Sequence, residues 1–160
     1  MPRRGEEVYA LLRLVRPVVL HSTRVVEGQV RALGWTVGSR AVMEVLAAEE
    51  PMTVPQVAAR LSLARQNVQR HVDELARLGH LRTGPNPAHR TSVLVRPTAA
   101  GRRAFATVHA AELRELAGLA SDCTSRDLRT AVRVLSALER DIAGRAGGVD
   151  AMAPPDGGRR

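Results

Sequence analysis

The chain has 160 residues, 44% of them hydrophobic, with a single Trp, Tyr and Phe. That length suits one domain with a buried core. With so few aromatics the core must be aliphatic, which favours helix-on-helix packing over an aromatic-rich β-sandwich. The net charge is +8, and all 24 basic residues are arginine. The missing lysines fit a bias toward GC-rich codons. The physical consequence stands regardless, because guanidinium groups grip phosphate and guanine in two-pronged fashion.

The charge is not spread evenly. Residues 1–52 hold seven Arg against six acids, and residues 104–160 hold eight of each. Residues 53–103 hold nine Arg against Asp73 and Glu74 alone, a net +7. A confined basic segment is the electrostatic footprint of a nucleic-acid reader. The lone Cys123 excludes an intramolecular disulfide, in keeping with a reducing compartment. The start of the chain has no long apolar core of a secretory signal. No apolar run approaches the roughly 20 residues of a membrane span. The expectation is a soluble, cytoplasmic protein with no membrane partner.

In chain order, Val8, Leu11, Leu12, Val15, Val18, Val19, Val25, Val26, Val30 and Leu33 recur at helical spacing and predict a helix over 6–33. Pro17 is expected to kink or split it, and Gly34 to end it. Thr36 can cap a second helix over about 37–49, with Val42, Val45 and Leu46 inward. "TVPQVAARL" then carries its own start signal: Thr53 and Gln56 have the spacing of a capping box, and Pro55 suits a first turn.

After the short connection "SLAR", a helix is predicted from about Ala64 to Leu78. Val68, Val72, Leu75 and Leu78 form its apolar stripe, and Gly79 stops it. Opposite that stripe stand Gln66, Gln69, Arg70, Asp73 and Arg77. His71, next to the stripe, is expected to be half-buried. The β-favouring runs "HLRT" and "TSVLVRPT" flank the turn-rich "GPNPAH" and predict a hairpin. Thr98 caps a long helix expected to run through Ala120. Thr124 or Ser125 caps a last one, with Leu128, Val132, Leu135 and Ile142 in a stripe. The tail from about Gly147, rich in Gly and Pro, reads as disordered.

The order of elements is that of a helix-turn-helix followed by a wing. In such a unit the second helix enters the major groove with its N-terminal residues against base edges. Its polar face has the side chains for this, since Arg pairs with guanine, and Gln and Asn pair with adenine. The candidate DNA contacts are therefore Arg65, Gln66, Asn67, Gln69 and Arg70. Thr53, at the head of the preceding helix, and His89 and Arg90, at the wing tip, complete the set. Arg77 lies near the C-terminal end, where its charge suits the helix dipole.

The segment "TVPQVAARLSLARQNVQRHVDELARLGHLRTGPNPAHRTSVLVRPTAAGRRAF" resembles the winged-helix core of the MarR family of bacterial transcription regulators. The likeness covers about residues 6–144. It rests on "ARQNVQRHVDELARLGHL", on a wing ending "VLVRPT" and on the "AAGR" that follows. It implies a mainly α fold with a small β-hairpin wing (α+β), a winged helix-turn-helix core flanked by dimerisation helices. In that layout residues 1–144 form one domain. Its dimerisation helices occupy 6–34 and 99–144, the winged lobe occupies 36–98, and a disordered tail covers 145–160.

The resemblance further implies a homodimer on a palindromic double-stranded operator, with a small-molecule effector pocket near His21, Arg24 and Trp35. Two departures stand out. In the family an aspartate and an arginine two residues later serve the wing; here His89 and Thr91 hold those places with Arg90 between them, so Arg90 takes the minor-groove role one position out of register. Ala64 stands where the family often has a capping Ser or Thr.

Other chemistries find little support. His21, His71, His80, His89 and His109 lack metal-ligand spacing, so neither metal nor cofactor is expected. Asp122 beside Cys123 disfavours a reactive thiolate. No nucleophile motif or phosphate loop marks an enzyme. A sequence-specific regulator, most naturally an effector-responsive repressor, is the leading reading. A nonspecific architectural DNA binder and a winged-helix protein-interaction module are the alternatives.

Overall fold

The computed structural model describes residues 2–49, 51–89 and 91–151. Helix α1 spans Pro2–Val30 and closes in a short 3-10 turn, Arg31–Leu33. Then come α2 (Val37–Ala48), α3 (Val54–Leu61), α4 (Arg65–Arg77), β1 (Leu81–Pro85), β2 (Val93–Pro97), α5 (Ala99–Leu116) and α6 (Ser125–Ala151). One compact unit ends at Leu116 and a second begins at Ala117. The fold is mainly α with a two-stranded antiparallel hairpin, the winged-helix arrangement.

Local chemistry sets most of these boundaries. Gly34 adopts φ 69°, a left-handed conformation that glycine takes without strain, and ends the α1 turn. The Thr36 hydroxyl accepts from the Ser39 amide, and Ser39 answers by accepting from the Thr36 amide. At α3 the predicted capping box is formed: the Thr53 amide donates to Gln56 Oε1 at 2.8 Å, and the Gln56 amide donates to Thr53 Oγ1 at 3.4 Å. Thr98 begins α5 by accepting from the Gly101 amide, and its own hydroxyl donates to the Gly79 carbonyl at 2.7 Å. The same group thus caps a helix and ties it to the end of α4. For α6 it is Thr124, not Ser125, that caps, in a reciprocal pair with Asp127. The two hydrogen bonds from Thr124 hold the Asp127 carboxyl below its ordinary range, the side-chain bond more than the backbone one.

The aliphatic core gathers Val30, Val42, Met43, Leu46, Val57, Val68, Val72, Leu75, Leu81 and Val95 around the buried Trp35. It lies where α2, α3 and α4 meet the hairpin, so the α4 stripe fixes that helix on its lobe. β1 pairs with β2 in the register Leu81↔Pro97 to Pro85↔Val93. Met52 adds a short third edge, exchanging both backbone hydrogen bonds with Val95.

Four expectations need correction. Pro17 lies inside α1 without splitting it, so of the kink or split expected only the split is excluded; the carbonyl it deprives of a donor, that of Arg13, belongs to an exposed stretch where water can serve. Helix α5 stops at Leu116 rather than Ala120, in a segment where Gly118, Ser121 and Asp122 favour turns. Helix α6 runs to Ala151, past the limit of 144 set for structured chain. A glycine weakens a propagating helix by only about 1 kcal/mol; residues 152–160 of the expected disordered tail lie outside the described residues. His71 is buried rather than half-buried, 9% exposed. Gly38 makes that possible, since a Cβ there would come within 2.2 Å of the imidazole Nε2.

Candidate nucleic-acid interface

Helix α4 is amphipathic in the required sense. Val68, His71, Val72 and Leu75 are buried, while Arg65, Gln66, Asn67, Gln69 and Arg70 are all exposed in its first two turns. Gln66, Gln69, Arg70, Asp73 and Arg77 line one continuous open face. Within it, Gln69 Nε2 donates to Asp73 Oδ1 at 2.8 Å, one turn further on. Sequence reasoning placed Asp73 on this face but gave it no task; the i, i+4 amide–carboxylate spacing was the available signal.

The N-terminal end of α4 is held by backbone rather than by a side-chain cap. Ala64 offers no hydroxyl, and only its carbonyl serves, accepting from the amides of Asn67 and Val68. The turn before it is tight: Ser62 adopts φ 52° and donates through its amide to the carbonyls of Ala58 and Ala59. Thr53 is half-buried with its side chain engaged in the α3 cap, so any DNA contact from it would compete with that bond.

The wing tip is internally braced. The Asn86 carboxamide accepts from the Ala88 amide and donates to Ser92 Oγ at 2.8 Å. The His89 amide donates to the Asn86 carbonyl, and the Ser92 amide to the His89 carbonyl. His89 is exposed at this tip. Arg90 lies outside the described residues.

The three residues assigned to an effector differ in their settings. Trp35 is buried, and its indole Nε1 donates to His80 Nδ1 at 2.9 Å, with the rings edge-to-face. His21 and Arg24 are exposed along α1. Trp35 instead lines a groove of about 440 Å³ with Glu27, Arg31, Arg70, His71 and Glu74. That groove joins the end of α1 to the flank of α4.

A polar clamp ties α2 to α5. Arg40 donates from Nε to Glu112 Oε1 at 2.7 Å and from its terminal nitrogens to Glu112 and to Glu44. Its guanidinium also lies over the Phe105 ring, which stacks on His109. The bond to Arg40 holds the Glu112 carboxyl below its ordinary range against the opposing effect of burial, and Glu112 in turn raises the Arg40 pKa. Among the described residues no cluster of His, Cys, Asp or Glu could hold a metal ion, and no helix is long and apolar enough to cross a membrane.

Comparison with known proteins agrees with this geometry. Residues 33–90 match the MarR family model. A crystal structure of a MarR family transcription regulator superposes with a TM-score of 0.79 at 30% identity, covering 92% of this chain and 97% of that one. The chain belongs to the MarR family. Two further solved structures share the fold at lower identity. A cysteine-to-serine variant of MarR from E. coli, complexed with operator DNA, gives a TM-score of 0.71 at 22% identity over 82% of this chain and 95% of that one. CouR from Rhodococcus jostii, bound to p-coumaroyl-CoA, gives 0.70 at 21% over 78% and 88%. An uncharacterized protein of Mycobacterium tuberculosis is 42% identical over 60 residues, 38% of this chain. The match spans only 42% of that relative's own length. The family model and the mycobacterial likeness each cover well under half of this MarR-family chain.

Proposed function

We propose that this MarR-family protein binds double-stranded DNA sequence-specifically, as a homodimer on a palindromic operator, and acts as a repressor relieved by a small-molecule effector. The observation that carries the reading is the set of exposed polar and basic side chains, Arg65, Gln66, Asn67, Gln69 and Arg70, on a helix whose other face is locked into the lobe core. Arg65, Gln66, Asn67, Gln69 and Arg70 read bases or adjacent phosphates. The wing residues His89 and Arg90 reach the neighbouring minor groove, whose narrow form favours cationic side chains. Thr53 approaches the backbone from the head of α3.

Dimerisation is supported by apolar side chains that the single chain leaves in water. On α1 these include Tyr9, Leu14, Val18 and Val19, and on α6 Leu128, Val132, Leu135 and Ile142. Surfaces of this kind mark association. The effector is assigned to the junction of α1 with the lobe, with His21, Arg24 and Trp35 as its contacts. The groove beside Trp35 supports such a site, because it brings α1 next to Arg70 of the reading helix. Relief of repression follows as a population shift: an effector that prefers one lobe placement depletes the placement that fits the operator. The ligand-bound and operator-bound relatives support both halves of this reading.

A gel-shift series at moderate salt tests it. The protein should prefer duplex from its own upstream region over random duplex of equal length, and Arg70→Ala should cost roughly 1–3 kcal/mol at one base position. Equal binding to both duplexes would overturn specific recognition and favour an architectural binder, whose affinity falls uniformly with salt.

A further inference from the structure

We propose that Asp73 is a positioning residue that sets the Gln69 carboxamide to read adenine; this rests on the DNA-binding role proposed for α4. Gln69 Nε2 donates to Asp73 Oδ1 at 2.8 Å across one helical turn, on the open face shared with Gln66 and Arg70. An ionised carboxylate only accepts hydrogen bonds. Asp73 therefore fixes which end of the amide is nitrogen, a choice a free glutamine leaves open. It occupies one of the two N–H groups and leaves the other N–H and Oε1 unused.

Those two remaining atoms are one donor and one acceptor. In the major groove adenine offers one acceptor, N7, and one donor, N6–H. Guanine offers two acceptors at the same edge, N7 and O6. The tethered Gln69 keeps the pair that adenine needs and has given up the second donor that guanine would require. The Asp73 carboxylate adds a negative charge that disfavours guanine O6 nearby. Both side chains are exposed, so their bond contributes little to folding. Its effect is to order Gln69 before DNA arrives, which lowers the ordering cost of binding.

Competition binding against a randomised duplex pool, read by sequencing the bound fraction, tests this with the wild type and four variants: Gln69→Ala, Asp73→Ala, Asp73→Asn and the double alanine variant. The wild type should select adenine at one position of each half-site. Asp73→Ala should weaken that preference roughly fivefold or more, in the range of one bidentate base contact, while binding random duplex at least as tightly, because an acid has left the interface. Asp73→Asn should weaken the preference as well, since a neutral amide can donate as readily as it accepts and no longer fixes which end of the Gln69 amide is nitrogen. The double variant should discriminate no worse than Gln69→Ala alone. An unchanged adenine preference in Asp73→Ala overturns the positioning role and leaves DNA recognition standing. No enrichment of any sequence by the wild type overturns DNA reading and the positioning role with it.

Discussion

At the scale of single residues, two glycines hold the lobe together by what they lack. A Cβ at Gly101 would fall 2.0 Å from the His80 carbonyl oxygen, and one at Gly38 would fall 2.2 Å from the His71 ring. The first obstacle is backbone, which cannot step aside without moving the start of the wing. The second is a side chain, which can rotate out of its buried position. Gly101→Ala should therefore cost more than Gly38→Ala, with both in the range of roughly 1–3 kcal/mol typical of overpacking. Denaturant unfolding of the two variants checks the order, and a reversed order would contradict the packing described for His80. His80 also accepts the Trp35 indole N–H. That pairing joins residues 45 apart and left no local trace in the sequence.

At the scale of elements, the strongest local signals were the caps. The Thr53–Gln56 box, the Thr98 cap and the stops at Gly34 and Gly79 all depend on residues within a few positions of each other. Propensity and spacing suffice for such features. Contacts between distant elements leave no such trace: the Arg40–Glu112 clamp joins residues 72 apart, and the Met52–Val95 bridge adds a third edge to what reads as a two-stranded wing.

Two consequences are measurable. Ala64 leaves α4 without a side-chain cap, so Ala64→Ser should stabilise the protein by roughly 0.5–2 kcal/mol, seen as a higher denaturant midpoint. No rise would mean that the α4 start is already satisfied by its surroundings. The clamp makes stability depend on acid. Because the Glu112 carboxyl titrates lower in the folded chain than in the unfolded one, the stabilisation is complete above the unfolded value, about 4.3. It is lost as pH falls from there through the folded value. Glu112→Gln should flatten that part of the pH–stability curve, and removing the other partner, as in Arg40→Ala, should cost roughly 1.5–3 kcal/mol, the range of charge-assisted hydrogen bonds. An acid limb of unchanged steepness in Glu112→Gln would assign it to other carboxylates.

At the scale of the whole molecule, the sequence carried the fold class, the family and the position of α4. It did so because the basic bias of 53–103, the capping box and the α4 stripe all fall within one continuous segment. It carried less of the site's internal chemistry. The tether between Gln69 and Asp73 and the groove linking Trp35 to Arg70 both depend on side-chain placement in three dimensions. The groove further depends on packing between elements distant in sequence. The apolar faces of α1 and α6 belong to this scale as well, since the single chain leaves them uncovered and a second copy is what the proposed function puts there.

Recovery and sequencing of genomic fragments bound by the full-length protein at physiological salt tests specific, dimeric DNA reading most directly. The bound fraction should converge on one palindromic motif whose half-sites are centred about one helical turn apart, roughly 10 bp or a multiple of it. A bound fraction no different from the input DNA would contradict it.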